Sequence, residues 1–106
     1  MASTVNTATG ELRVTLSGTP DTCLQVILPD WTEWATIQSQ AEDIKFSLSG
    51  TDAGSIGAHY GIIAEGATGE MRFPWRPGSA TTVSLYLESS AASAVAYVKA
   101  ERGGGR

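Results

Sequence analysis

The stretch Thr81-Thr-Val-Ser-Leu-Tyr-Leu-Glu88 decides the fold. Its aliphatic residues Val83, Leu85 and Leu87 occupy every second position, with polar or amphipathic side chains between them. A side-chain period of two is that of a β-strand with one buried face. We therefore predict a strand over Thr81–Glu88 and a core built from sheets.

The same alternation recurs on both sides of this stretch. Glu11-Leu-Arg-Val-Thr-Leu-Ser17 predicts one strand, and Ile44-Lys-Phe-Ser-Leu-Ser49 predicts another that directs Ile44, Phe46 and Leu48 inward. Turn-forming residues separate the predicted segments, as in Gly18-Thr-Pro-Asp21. Further short strands are predicted at Cys23–Leu28, Ile62–Ala64, Met71–Trp75 and Ala94–Glu101.

The segment from Asp30 to Ile44 fits two structures. Asp30 and Glu33 have the spacing of a helix capping box, and large apolar residues follow at intervals of three and four. Against a helix, Thr36 and Ile37 are β-branched and lose side-chain freedom in that conformation. We predict a strand at Trp34–Ser39 and keep the helix as the alternative.

These segments sum to about eight short strands in a chain of 106 residues, a length that suits one domain. Evenly spaced strands with turn chemistry between them are typical of an all-β fold. We predict a single antiparallel β-sandwich, jelly-roll-like, spanning 11–101. The polar residues 1–10 are expected to form a flexible arm, and the glycine-rich residues 102–106 a flexible tail.

The charge balance disfavours some partners. Seven basic residues against eleven acidic ones give a formal net charge of -4. We therefore expect neither nucleic acid nor a membrane surface as a partner. Cys23 is the single cysteine and has no intramolecular disulfide partner. The start of the chain lacks the apolar stretch of a signal peptide, so we expect folding in the cytosol.

Residue types that carry catalysis are sparse. His59 is the single histidine, Cys23 is expected to be a small buried apolar residue, and no serine lies in a G-x-S-x-G sequence. The adjacent Glu42 and Asp43 would point to opposite faces of a strand or stand as solvated charges in a turn. Calcium at Asp52 is conceivable, but the acidic spacing of a calcium loop is absent. We expect no enzyme activity, no metal and no cofactor.

The aromatic residues are the best candidates for an interface. Pro74 interrupts strand pairing and confines Met71–Trp75 to a sheet edge or to an irregular segment, where large rings lie next to arginines. Such rings either close the ends of the sandwich or contact a partner, since tryptophan, tyrosine and arginine are enriched in binding hot spots. The candidate interface residues are Trp31, Arg72, Phe73, Trp75 and Arg76.

Four phrases of the second half resemble small virion proteins of tailed bacteriophages. They are Asp43-Ile-Lys-Phe-Ser-Leu-Ser-Gly50, Gly61-Ile-Ile-Ala-Glu-Gly66, Ser84-Leu-Tyr-Leu-Glu-Ser89 and Ala94-Val-Ala-Tyr-Val-Lys-Ala100. The resemblance is one of pattern over about Trp34 to Glu101, and it transfers no functional residue.

This resemblance implies a capsid decoration, or cement, protein of the virion, made in the host cytoplasm. Its implied partners are the major capsid protein and copies of itself in a homotrimer. A tail or head-to-tail connector component is the nearest alternative. A carbohydrate-binding jelly roll, with Trp31 and Trp75 stacking on sugars, is the competing class.

Overall fold

The computed structural model describes residues 3–6, 8–19, 21–29, 32–52, 54–57, 60–72 and 83–101. In these ranges the chain is all-β, with nine strands in two packed sheets. The strands are β1 (Ser3–Thr4), β2 (Glu11–Thr15), β3 (Leu24–Leu28), β4 (Trp34–Ser39), β5 (Ile44–Ser47), β6 (Gly61–Ile63), β7 (Thr68–Arg72), β8 (Val83–Glu88) and β9 (Val95–Glu101). The described residues include no helix suited to crossing a membrane.

The two sheets have the strand orders β1-β3-β8-β5-β6 and β2-β9-β4-β7. The antiparallel pairs are nested, because β5 pairs with β6, β4 with β7, β3 with β8 and β2 with β9. This pairing arises when one long antiparallel hairpin folds over into two sheets. The resulting strand order is that of a jelly roll. The predicted antiparallel sandwich is confirmed.

The core lies between the two sheets and follows the period of two. Val83, Leu85 and Leu87 are at most 2% exposed, as the alternation in that stretch predicts. From the facing sheet, Ile37 and Val98 are fully buried. The removal of aliphatic side chains from water is the main favourable contribution to the free energy of folding. The buried apolar side chains of the described residues therefore form one continuous core.

The ambiguous segment is a strand. β4 occupies Trp34–Ser39, the residues predicted, and it lies between β9 and β7 in its sheet. Ala35, Ile37 and Ser39 face the core, whereas the intervening side chains face outward. Two neighbouring strands satisfy the backbone of β4, and its β-branched residues fit a pleated surface. The helical alternative is therefore wrong.

The expectation of an arm outside the core over 1–10 needs correction at residues 3–6. β1 pairs in parallel with β3, Val5 is 1% exposed, and the Val5 amide donates to the Ile27 carbonyl at 2.9 Å. A two-residue strand is too short to show a period, so the sequence pattern did not reveal it. β1 also raises the strand count from about eight to nine. Residues 102–106 lie outside the described part.

Leu48 is the second correction. It is 41% exposed, although alternation from Ile44 directs it inward. β5 ends at Ser47, and Leu48 sits in the bend that follows, where the period of a strand no longer applies. Phe46 does pack against the core, as predicted, and Ile44 is fully buried.

Candidate functional site

Only part of the predicted interface can be placed. Trp31, Phe73, Trp75 and Arg76 lie outside the described residues, as does His59. Arg72 is described and lies at the end of β7, an edge strand of its sheet. Of the predicted edge strand Met71–Trp75, only Met71 and Arg72 are described, and both lie in the edge strand β7.

Arg72 is directed outward beside an aromatic ring. Its side chain is 71% exposed, and its guanidinium carbon lies 4.9 Å from the centroid of the Trp34 ring. The register explains the contact, because Trp34 and Arg72 are directly paired between β4 and β7. The Glu70 carboxylate lies 4.0 Å from the Arg72 guanidinium. Trp34 is half-buried, so this pair forms a cationic and aromatic corner at the sheet edge.

The other sheet has an exposed apolar edge at β6. Ile62 is 63% exposed and Tyr60 44%, and their alternation places both on the outer face. Lys45 pairs with Ile62 across β5 and β6, and its ammonium lies 4.9 Å from the centroid of the Tyr60 ring. We call Lys45, Tyr60 and Ile62 the β6 edge patch.

The two edges lie on the same side of the sandwich. β6 and β7 follow each other in the chain and are joined by a turn closed by the Ala67 amide and the Ala64 carbonyl, 2.9 Å apart. A side chain at Gly69 on β7 would come within 2.8 Å of Ile63 on β6, so the two strands approach closely there. The β6 and β7 edges therefore lie next to each other, with Ile62 projecting from the outer face of one sheet and Arg72 from the outer face of the other.

The β6 edge patch was missed by sequence analysis, although a signal was present. The sequence predicts a short strand at Ile62–Ala64, and neighbouring residues of a strand face opposite ways. Ile63 is 3% exposed and Ile62 is its outward neighbour. Tyr60 lies two residues before Ile62, which is the spacing for a shared face.

The loop that follows β5 is described at residues 48–52 and 54–57, and these residues fold over the outer face of the five-stranded sheet and cover Glu88. The Cys23 amide donates to the Gly54 carbonyl at 2.9 Å, and the Ile56 amide donates to the Glu88 carboxylate at 3.3 Å. Glu88 is 6% exposed and lies 3.8 Å from the Lys45 ammonium. The buried carboxylate is therefore paired, as burial of a charge requires.

Cys23 lies beneath the same loop and is 1% exposed. Burial, followed by the nearby charges of Glu88 and Asp52, raises the pKa of the Cys23 thiol to about 11. The thiol is therefore protonated at neutral pH, and a thiolate nucleophile is not available there. The expectation of a small buried apolar residue is confirmed.

The acidic residues singled out in the sequence are structural or solvated. Glu42 and Asp43 are exposed, and Asp43 accepts the Glu65 amide at 2.9 Å. The Asp52 carboxylate accepts a hydrogen bond from the Gln25 backbone amide at 2.9 Å, which ties this part of the loop to β3. Within the described ranges, no three His, Cys, Asp or Glu side chains form a group suited to a metal ion.

The outer face of the four-stranded sheet is polar and contains a groove. The groove has a volume of about 400 Å³, and Arg13, Gln38, Gln40 and Tyr97 contribute to its lining. The Arg13 guanidinium donates to the Gln40 side-chain carbonyl at 2.7 Å. The groove cannot be read from local sequence patterns, because it requires the long-range pairing of β2, β9 and β4.

No protein family, no curated protein and no solved structure matches the chain.

Proposed function

We propose that the chain is a virion structural protein, a capsid decoration protein that docks on the major capsid protein through the side formed by the β6 and β7 edges. The observation that carries this proposal is the β6 edge patch. A strand edge with exposed aromatic and aliphatic side chains is a ready surface for another protein.

The patch is not required to close the core. The inner faces of both sheets bury their aliphatic side chains against each other, while Ile62 and Tyr60 remain outside this cluster. Contact of these apolar side chains with water is unfavourable in free energy, and burial against a partner would remove that cost. Aromatic and aliphatic anchors rimmed by a cation are the composition of a protein-binding hot spot. Lys45 supplies the cation, 4.9 Å from the centroid of the Tyr60 ring.

A protein partner fits the charge of the chain better than a polyanion. The net charge is -4, so nucleic acid would be repelled at long range. The major capsid protein is the occupant implied by the sequence resemblance to virion proteins of tailed phages. The same resemblance supports a homotrimer, with one copy of the chain contributing its edge to each lattice contact.

The test uses expanded heads assembled from the major capsid protein encoded in the same genome. Purified chain is mixed with these heads, and the bound fraction is measured by co-sedimentation. Wild-type chain should bind saturably, and Ile62→Asp should weaken binding at least about tenfold, since a charge would be buried against an apolar surface.

Thr4→Asp is the matched control, because Thr4 is exposed on β1 at the opposite edge of the same sheet. It should bind as the wild type does. Urea unfolding of both variants establishes that each is folded. Equal binding by Ile62→Asp and wild type would remove the patch from the interface, and absence of wild-type binding at micromolar concentration would overturn the proposal.

The trimer has its own measurement. Light scattering of the purified chain at micromolar concentration should give three times the monomer mass of 11.1 kDa. A stable monomer would contradict a preformed trimer and leave the lattice as the place of assembly.

A further inference from the structure

The groove on the outer face of the β2-β9-β4-β7 sheet is separate from the β6 and β7 edge surface proposed above. Three strands build it, and their register places Arg13, Tyr97 and Gln38 in one row across β2, β9 and β4. Gln40 follows β4 and closes one end. Its volume of about 400 Å³ lies within the usual range for a small-molecule site.

The groove is ordered before any ligand arrives. The hydrogen bond from Arg13 to Gln40 fixes both long side chains. Desolvation, then the hydrogen bond from the Tyr97 hydroxyl to Glu11 and the charge of that carboxylate, raise the pKa of Tyr97. Tyr97 is 37% exposed, and it lies beside Arg13 in the register of β2 and β9. A preorganised site loses less side-chain entropy when it binds.

The chemistry of the lining matches hydroxyl groups. The amides of Gln38 and Gln40 each combine a donor group with an acceptor, and the Arg13 guanidinium adds donors beyond the one given to Gln40. A sugar hydroxyl both donates and accepts. The Tyr97 ring supplies apolar contact area for the carbon–hydrogen face of a sugar ring.

The charges of this sheet face favour an uncharged ligand. Carboxylates and cations alternate along its outward positions at Glu11, Glu70, Glu101, Arg13, Lys99 and Arg72. Three of each sign give these positions no net charge, and the whole chain is acidic. A carboxylate-bearing ligand would be attracted by Arg13 but repelled by the net negative charge of the protein.

We propose that the groove binds an uncharged saccharide, with one pyranose ring over Tyr97 and its hydroxyls bonded to Gln38, Gln40 and Arg13. This inference does not depend on the capsid proposal. A decoration protein with such a groove would also hold the virion to a glycan surface.

The test is an amide NMR titration of the wild-type chain with the methyl glycosides of glucose, galactose, mannose and N-acetylglucosamine. At least one should give saturable shifts with a Kd of about 1 mM, a typical weak affinity worth about 4 kcal/mol. The shifts should map to Arg13, Gln38, Gln40 and Tyr97. Glucuronic acid is the anionic comparison and should bind more weakly than glucose.

Two variants separate the ring from the amide. Tyr97→Ala and Gln38→Ala should each weaken binding at least about fivefold, and the exposed Gln38 carries little risk to folding. Thr4→Ala is the control, because Thr4 is exposed on β1 of the other sheet and should leave sugar binding unchanged. Absence of saturable shifts with every glycoside, shifts that map elsewhere, or tighter binding of glucuronic acid would overturn the proposal.

Discussion

Substitution of Val5 tests most directly whether residues 3–6 belong to the folded core. Val5→Ala removes two methyl groups from a side chain that is 1% exposed. Each buried methylene-sized group contributes about 0.8 kcal/mol, and incomplete collapse of the cavity adds to the loss. We therefore expect the free energy of unfolding to fall by about 2 kcal/mol. For a domain of this size, that corresponds to a decrease in Tm of about 8 °C.

The assay is urea unfolding followed by tryptophan fluorescence. Thr4→Ala is the matched control, because Thr4 is the exposed neighbour on the same short strand and should change stability by less than about 0.5 kcal/mol. Deletion of residues 1–6 should cost more than Val5→Ala, because it also removes the pairing of β1 with β3. Superimposable curves for Val5→Ala and Thr4→Ala would refute the inclusion of this segment in the core.

Three further predictions concern packing, protonation and the sheet edge. Gly61→Ala should destabilise the fold by about 1–3 kcal/mol, because a Cβ there would lie 2.5 Å from the Phe46 ring. Gly18→Ala is the control and should be nearly neutral in the same urea assay. The free energy of unfolding should fall as pH rises from about 9 towards about 11, because the Cys23 thiol loses its proton at a lower pH in the unfolded chain than in the folded one. The Cys23→Ala variant should lack this loss of stability, and identical pH profiles of the variant and the wild type would contradict the prediction. Arg72→Ala should cost less than about 1 kcal/mol, because its contacts with Trp34 and Glu70 are exposed; a loss of several kcal/mol would show that the corner is structural.

Local patterns predicted most of the strands because each depends on one buried face. The alternation of Val83, Leu85 and Leu87 places β8 correctly, and β-branched residues favour the strand at Trp34–Ser39 over a helix. Asp21, predicted to tolerate a tight turn, has a φ of 59°. These features are properties of a few neighbouring residues, so they are readable without the fold.

The surfaces were less predictable because they depend on pairing between distant strands. Arg13 and Tyr97 are more than eighty positions apart in the sequence, and only the β2–β9 register places them side by side. Val5 is a single apolar residue in a polar stretch, and its burial depends on a parallel contact with β3. Leu48 is exposed because β5 ends one residue before it. Local alternation of apolar residues does not show where a strand ends or in which register it pairs with a distant strand.

The number of chains bound per expanded head tests the proposed decoration function most directly. Heads are saturated with the purified chain, separated from unbound chain by sedimentation, and analysed for the ratio of this protein to the major capsid protein. We predict saturation in fixed proportion to the capsid subunits, with the bound copies distributed over the whole lattice. Saturation at a few copies per head would instead indicate a connector or tail component, and the absence of bound chain would contradict a capsid role.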